Sequence, residues 1–522
     1  MRGLFWLNAA LSTTSFVAKA VSGATPIDDL DVISQHWGQI TPYHDNKPDY
    51  FGVEQVGLPD GCGIEQVHVL HRHAQRYPTS YIEDGGFMET FAAKLINFTA
   101  AHPDADFKGP LDFLNTWSYE LGQGPLEGTL TAPGSVTEFT SGVRFWNEYG
   151  RLLYNATAGQ PRYNASLVGD TKPVLRTTSQ TRILQSAQYW ATGFFGFDSA
   201  DNYDLFVIPE GGVENNTLAS YDACKNDGNS SMYYLGDYAA INYIPHYLQP
   251  ARNRIAAYMP EGFELNVNDT YGIQEICAYE VAAFGTSDFC SLFTLAEWEG
   301  FEYSTDLAYY GDYSFGNPTG RAQGIGYVQE LLARLMNQTI SVSNSSVNST
   351  LDSDPATFPL GQPFYLDMSH DDILVSVVTA LSIEYFKEDL PFTQFPPDPK
   401  RHFILSHLTP FGTRLETEVL GCASANPTAK TKASTTYTLG QNGYKADNAP
   451  HKFIRMRWNQ GILPLSTIPG GHCERLDGLC PMANFITSQA NASALANYQY
   501  ACFGNYTFEG PEFVKDGTVF QS

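Results

Sequence analysis

Ile64-Glu65-Gln66-Val67-His68-Val69-Leu70-His71-Arg72-His73-Ala74-Gln75-Arg76-Tyr77-Pro78 reads as a strand that runs into a charged turn. Ile64, Val67 and Val69 supply the apolar, β-branched side chains of the strand, and Pro78 stops any regular continuation. The turn sets His73 between two arginines, whose planar guanidiniums keep their charge and match phosphate oxygens. Neighbouring cations disfavour imidazolium, so His73 is expected to stay neutral and nucleophilic in fairly acidic conditions. A surface histidine beside two solvated arginines is the plainer alternative, and the rest of the chain must decide between them.

Two more strand-to-helix turns carry polar groups. Val174-Leu175 reads as a strand ending in Thr177-Thr178-Ser179, followed by a helix with Ile183, Ala187 and Trp190 on one face. Arg182 falls in its first turn, where a cation opposes the helix dipole unless an anion is bound. Phe364, Leu366 and Met368 alternate as a strand, Ser369-His370-Asp371-Asp372 turns, and Leu374, Val377, Val378 and Leu381 make a helix. Such turns line the carboxyl edge of α/β sheets, where ligands bind and helix N-termini favour phosphate. A nucleophile at His73, cations at Arg72, Arg76 and Arg182, and an acid at Asp371 are the parts of a phosphomonoesterase. Taken singly, Asp371 and Asp372 would more simply cap their helix.

Further helices are predicted from Phe87, Phe91, Leu95 and Phe98, from Val136, Phe139, Val143 and Trp146, and from Val328, Leu331, Leu332 and Leu335. Residues 204–317, rich in Tyr, Asn and Gly, read as an inserted, mostly helical unit with helical pieces around Glu275–Phe284 and Leu295–Trp298. The α/β domain then comprises 34–203 and 318–522. Ser341 to Asp354 and Ala423 to Asn448 read as exposed polar loops.

Residues 1–20 have the make-up of a secretory signal peptide: Arg2, a modest apolar stretch from Leu4 to Val17, and Ala18-Lys19-Ala20 as a cleavage site. No later stretch reaches membrane length, and no anchor signal is expected. Eleven Asn-x-Ser/Thr sites, at Asn97, Asn155, Asn164, Asn215, Asn229, Asn268, Asn337, Asn344, Asn348, Asn491 and Asn505, point to N-linked glycans on a secreted, extracellular protein. The eight cysteines lack zinc spacing and read as disulfides, whose pairing spacing alone leaves open. In a chain of 522 residues with a net charge of −26, no basic stretch exists to bind nucleic acid. That charge also repels an anionic substrate at neutral pH, which suits an acidic working range in which many of the 56 carboxyls are protonated.

With Arg72-His73-Ala74-Gln75-Arg76-Tyr77-Pro78 near the start and His370-Asp371 far downstream, the chain resembles the histidine acid phosphatases, in particular their fungal phytase-like branch. The likeness extends from Trp37-Gly38-Gln39 to Cys502 and includes Phe289-Cys290-Ser291-Leu292-Phe293-Thr294, Gly324-Ile325-Gly326-Tyr327 and Pro355-Ala356-Thr357-Phe358-Pro359-Leu360. The resemblance implies a phosphoglycerate mutase-like α/β sandwich domain with a smaller, mostly helical inserted domain, the site lying between them. It implies that His73 is phosphorylated, that Arg72, Arg76, Arg182 and His370 hold the phosphate, that protonated Asp371 serves the leaving alcohol, and that no cofactor or metal is needed. It also implies the pairs Cys62–Cys422, Cys224–Cys502, Cys277–Cys290 and Cys473–Cys480.

Several positions depart from the family pattern. Ala74 replaces the motif glycine, at a steric cost if the backbone there needs positive φ or close approach. Lysines that would grip a polyphosphate are missing around Tyr81-Ile82-Glu83-Asp84 and Leu307-Ala308-Tyr309-Tyr310; Asp372 stands for an asparagine, and Ile40 for a pocket tyrosine. Fewer cations and more carboxylates weaken a polyanion more than a monoester. The expected partner is thus a small-molecule phosphate monoester, with phytate a diminished substrate. Asp372 is further expected to raise the pKa of Asp371. Two rival readings are a cytosolic phosphoglycerate mutase-like enzyme, which the leader and sequons disfavour, and a secreted glycoprotein that binds phosphorylated ligands with little or no turnover.

Overall fold

Strand β1, Cys62–Arg72, is buried along most of its length because both of its faces are covered. Val67 and Val69 join one apolar core and Leu70 the other, as the two-residue period of a strand requires. The computed structural model describes residues 25–79, 81–122, 124–156, 159–168, 172–212, 214–228, 234–432, 443–506 and 513–521. The predicted leader, Asn229 and part of the second polar loop lie outside the described residues.

The other strands are β2 (Val174–Thr178), β3 (Asp204–Ile208), β4 (Phe364–Ser369), β5 (Arg414–Cys422), β6 (His451–Trp458), β7 (Gly461–Ile462) and β8 (Cys480–Pro481). They form a mixed sheet in the order β3-β2-β4-β1-β5-β6-β7, with β8 also on β6. The four strands from β3 to β1 are parallel, and β5 and its neighbours run antiparallel. In this order β4 lies between β2 and β1, so three loops far apart in sequence open side by side at one edge.

Helices cover both faces. On one, α2 (Ala132–Phe145) and α3 (Thr181–Phe195) bury Phe145, Trp190 and Phe194 against Phe364, Leu366 and Met368. On the other lie α7 (Gly320–Leu335) and α8 (Asp371–Ala380), and a helical layer of α1 (Phe87–Ala101), α4 (Leu235–Ala256), α5 (Val267–Phe284) and α6 (Leu295–Tyr313) shares that core. The four disulfides are Cys62–Cys422, Cys224–Cys502, Cys277–Cys290 and Cys473–Cys480, as the family resemblance implies. Beneath the sheet, Asp367 of β4 accepts from Arg176 of β2 at 2.6 Å and from Arg334 of α7. Burial would raise the Asp367 carboxyl, but these two guanidiniums hold it at about 2.

Four local expectations change. Residues 204–208, placed in the helical insert, form β3 and extend the sheet, so the helical run begins at Leu235. Helix α4 was not apparent because Pro245 and Pro250 interrupt it. Of the presumed core face of α2, Trp146 is buried but Val136 is turned outward at 65% exposure, with Phe139 and Val143 also exposed. Glycines bring the backbones of α2 and α3 together, since a Cβ on Gly142 would lie 2.0 Å from the Trp190 carbonyl. Finally, the 341–354 loop is not wholly exposed. Ser345, Ser346 and Val347 are buried, and Asn215 donates to the carbonyls of Ser345 and Val347.

Candidate active site

The carboxyl ends of β1, β2 and β4 deliver the six predicted site residues to one edge of the sheet. Arg72 ends β1 and His73 follows it; the His73 amide donates to the Ser369 carbonyl at the end of β4. His370 is the N-cap of α8 and Asp371 its first residue, while Arg182 sits in the first turn of α3, after β2. Arg72, His73, Arg76, His370 and Asp371 are buried, and Arg182 is half-buried. Thus the sequence places all six in one region of the fold.

The orientation of His73 is fixed by its own turn. Nδ1 lies 2.8 Å from the Ala74 carbonyl, which can only accept, so Nδ1 carries the proton. Nε2 keeps its lone pair and, although buried, has no hydrogen-bond partner among the described residues. Burial, then Arg182, Arg72, Arg76 and His370, hold the imidazole pKa well below its ordinary 6.5. The predicted neutral histidine is therefore present, with burial adding to the cations. Ala74 takes no positive φ, so the feared strain is absent; its amide lies 3.4 Å from Ser186 Oγ of α3.

The cations are held in different ways. Arg72 lies over the Phe411 ring at 4.5 Å, donates to the carbonyls of Gln39 and Thr409, and meets Asp371 Oδ2 at 2.6 Å. Arg76 pairs with Asp84 at 2.8 Å. Among the described residues, Arg182 has only the Gly128 carbonyl at 3.5 Å as a hydrogen-bond acceptor, and its buried Nε has none. Burial, then the nearby Arg76, lower its pKa, as expected of a cation site that lacks its anion.

The acid differs from the sequence expectation. Burial acts to raise the Asp371 carboxyl, but Arg72, Arg76 and the Tyr309 hydroxyl, donating at 2.8 Å, hold it below its ordinary value. The upward shift falls on Asp372 instead. Burial, then Asp371 and Glu210, outweigh His370 and the Ile373 amide and raise it to about 6.

Glu210, two residues beyond β3, was missed. Its Oε1 lies 2.9 Å from His370 Nε2, and Tyr221 donates to its Oε2 at 3.0 Å. Burial would raise this carboxyl, yet His370, Thr178 and Tyr221 bring it below its ordinary value. The strand-end rule that found the other residues would have found Glu210 too, had β3 been recognised as a strand. Asp84, Tyr279 and Tyr309, all in contact with the arginines or the acid, also carried no local sequence signal. Among the described residues, no group of three or more His, Cys, Asp or Glu is arranged to hold a metal ion.

A family model described as histidine phosphatase superfamily (branch 2) matches residues 63–439. Phytase A of Aspergillus fumigatus is 32% identical over 444 residues, which covers 80% of this chain and 88% of that protein. A thiamine-repressible acid phosphatase of Schizosaccharomyces pombe is 26% identical over 522 residues, covering 96% and 97%. Among solved structures, the phytase from D. castellii superposes with a TM-score of 0.67 at 23% identity, covering 92% of this chain and 89% of its own. A phosphate complex of the Bifidobacterium longum multiple inositol polyphosphate phosphatase gives 0.55 at 11% identity, covering 87% and 97%.

Proposed function

The chain belongs to branch 2 of the histidine phosphatase superfamily and is a phosphatase, and from that premise we propose that it hydrolyses phosphate monoesters through a phosphohistidine at His73. The observation that carries the proposal is the buried, unpartnered Nε2 of a neutral imidazole with Arg72, Arg76, Arg182 and His370 around it. In the first step the Nε2 lone pair forms a bond to phosphorus while the bond to the ester oxygen breaks. The arginines and His370 neutralise the equatorial oxygens, and Asp371 gives its proton to the departing alkoxide. In the second step water attacks the phosphohistidine and Asp371 takes a proton back, which restores free His73 and releases phosphate.

Substrate itself supplies the proton condition on Asp371. A phosphate that draws Arg72 and Arg76 to its own oxygens removes the cations that keep Asp371 ionised and sets negative charge beside it. Its pKa then rises in the loaded site, and it takes up a proton where the enzyme works in acid.

Relatives named phytases make myo-inositol hexakisphosphate a candidate substrate. The cleft beside His73 argues that it is a poor one, because Asp84, Asp237, Asp312, Asp371 and Asp372 line it against Arg76 and Arg182. Secretion in glycosylated form is supported by the exposure of Asn97, Asn155, Asn164, Asn268, Asn337, Asn344, Asn491 and Asn505. Among the described residues no helix is long and apolar enough to cross a membrane.

The test is turnover of 32P-labelled p-nitrophenyl phosphate followed by alkaline quenching, which preserves the acid-labile P–N bond. Wild type should release product and retain label on residue 73, and His73→Ala should lose on the order of 10³-fold or more in kcat. Turnover without any label on that residue would refute the mechanism.

A further inference from the structure

Both peptide groups that flank His73 are tied at both ends. In the Arg72–His73 peptide, the amide donates to the Ser369 carbonyl, and the carbonyl accepts from His71 Nδ1 at 2.7 Å. In the next peptide, the His73 carbonyl accepts from the Gly412 amide at 2.9 Å, and the Ala74 amide donates to Ser186 Oγ at 3.4 Å. Two of these ties come from side chains, and the His71 bond is much the shorter of the two. His71 is fully buried and takes no part in phosphoryl transfer. Because a carbonyl can only accept, Nδ1 carries the ring proton and Nε2 is left as an acceptor. Ser141 of α2 fills that need, with its Oγ 2.9 Å from Nε2. The same hydroxyl accepts from Arg414 Nη1 of β5 at 3.2 Å. Glu138 of α2 faces Nε2 at 3.5 Å, but burial pushes its carboxyl well above its ordinary value, against Arg414 and Ser186. It therefore brings no negative charge to draw a second proton onto the ring. Burial, then Arg414, lower the His71 pKa to about 3 against the pull of the Arg72 carbonyl, so one tautomer persists through most of the acidic range.

We propose that His71 is a positioning residue for His73: braced by Ser141 and Arg414, it holds the Arg72–His73 peptide and so sets the line along which Nε2 of His73 meets phosphorus. It touches neither substrate nor the reacting atoms and acts through that peptide alone. The proposal rests on His73 as the nucleophile and adds what aims it. A displacement of about 1 Å at a reacting atom costs on the order of a hundredfold in rate. The guanidiniums of Arg72 and Arg76 are meanwhile held by contacts of their own, to the Gln39 carbonyl, Asp371 and Asp84. Loss of the brace should thus fall on attack and spare the binding of phosphate.

Two measurements separate attack from binding: single-turnover labelling of residue 73 by 32P-labelled p-nitrophenyl phosphate, and the Ki of inorganic phosphate as a competitive inhibitor. His71→Leu should slow labelling about ten- to a hundredfold and leave the phosphate Ki within about twofold of wild type. His71→Asn, whose amide nitrogen stands where Nδ1 stood, should bring labelling back to within about threefold of wild type. Ser141→Ala, the gentler change, should slow labelling about three- to tenfold, again at constant Ki. The proposal is overturned if His71→Leu labels within about threefold of wild type, if the phosphate Ki worsens as much as labelling slows, or if His71→Asn is as slow as the leucine variant. Where His71→Leu does not fold, Ser141→Ala decides, and unchanged labelling in that variant overturns the proposal. Wild type that turns over with no label on residue 73 defeats the nucleophile reading itself; label there together with any of these results defeats only the role of His71.

Discussion

Replacing Asp372 with asparagine should extend activity toward neutral pH, and the size of the effect follows from the site. Burial and the neighbouring Asp371 raise the Asp372 carboxyl from 3.8 to about 6, against the pull of His370 and the Ile373 amide, which donates to it at 2.7 Å. Glu210 adds to the rise, and Tyr221 and Asp227 face the same carboxyl. If the ionised form turns phosphate away, kcat/KM follows the protonated fraction, which is about 97% at pH 4.5 and about 9% at pH 7. Asp372→Asn should therefore match wild type near pH 4.5 and exceed it about tenfold near pH 7 on p-nitrophenyl phosphate. Asparagine keeps an acceptor for the Ile373 amide, so the comparison isolates charge. Stability gives a second readout. A carboxyl whose pKa rises on folding contributes fully below its unfolded value of 3.8, and that contribution is lost as pH climbs through about 6. The variant should thus gain stability over wild type near pH 7, by at most about 3 kcal/mol, and gain nothing near pH 3. Superimposable pH–rate profiles for the two proteins would refute the reasoning.

Three further substitutions probe separate links. Glu210→Gln keeps an acceptor for His370 but removes the charge, which trades a charge-assisted hydrogen bond for a neutral one and should cost about tenfold in kcat/KM. Because the Glu210 carboxyl is held below its ordinary value, that loss should persist through the acidic range, and an unchanged kcat/KM near pH 5 would count against it. Ala74→Gly should leave turnover within about twofold, since Ala74 has no positive φ, and should lower stability by ~1 kcal/mol through chain entropy and a lost buried methyl; a large gain in rate would show that the methyl group obstructs the turn. Gly142→Ala should destabilise by ~1–3 kcal/mol in a denaturant titration, because the new methyl meets the Trp190 carbonyl; a neutral result would mean that α2 and α3 separate at little cost.

The sheet edge was legible because its three strands each run into polar or charged residues at a strand-to-helix turn, and a period of two is hard to mistake when Phe364, Leu366 and Met368 carry it. What escaped depended on the company a residue keeps. Glu210 stands in a glycine-containing stretch with no motif of its own, and only the pairing of β3 with β2 brings it to His370. The face of α2 was inverted because periodicity finds bulky apolar side chains, whereas Gly142 packs by having none. The ionisation order of Asp371 and Asp372 was reversed for a related reason. Sequence adjacency announces that the two carboxyls repel, but Arg72 comes from β1, far off in sequence and paired with β4, and its contact with Asp371 decides which of them keeps the proton.

The spacing of the three strands along the chain also orders events during synthesis. His73 emerges early, yet the strand that pairs with β1 in parallel and carries His370 and Asp371 begins only at Phe364. A growing polypeptide thus holds its nucleophile for nearly three hundred residues without acid or complete anion cradle. Phosphoesters nearby are spared until the chain has grown far enough for β4 to slot between β1 and β2.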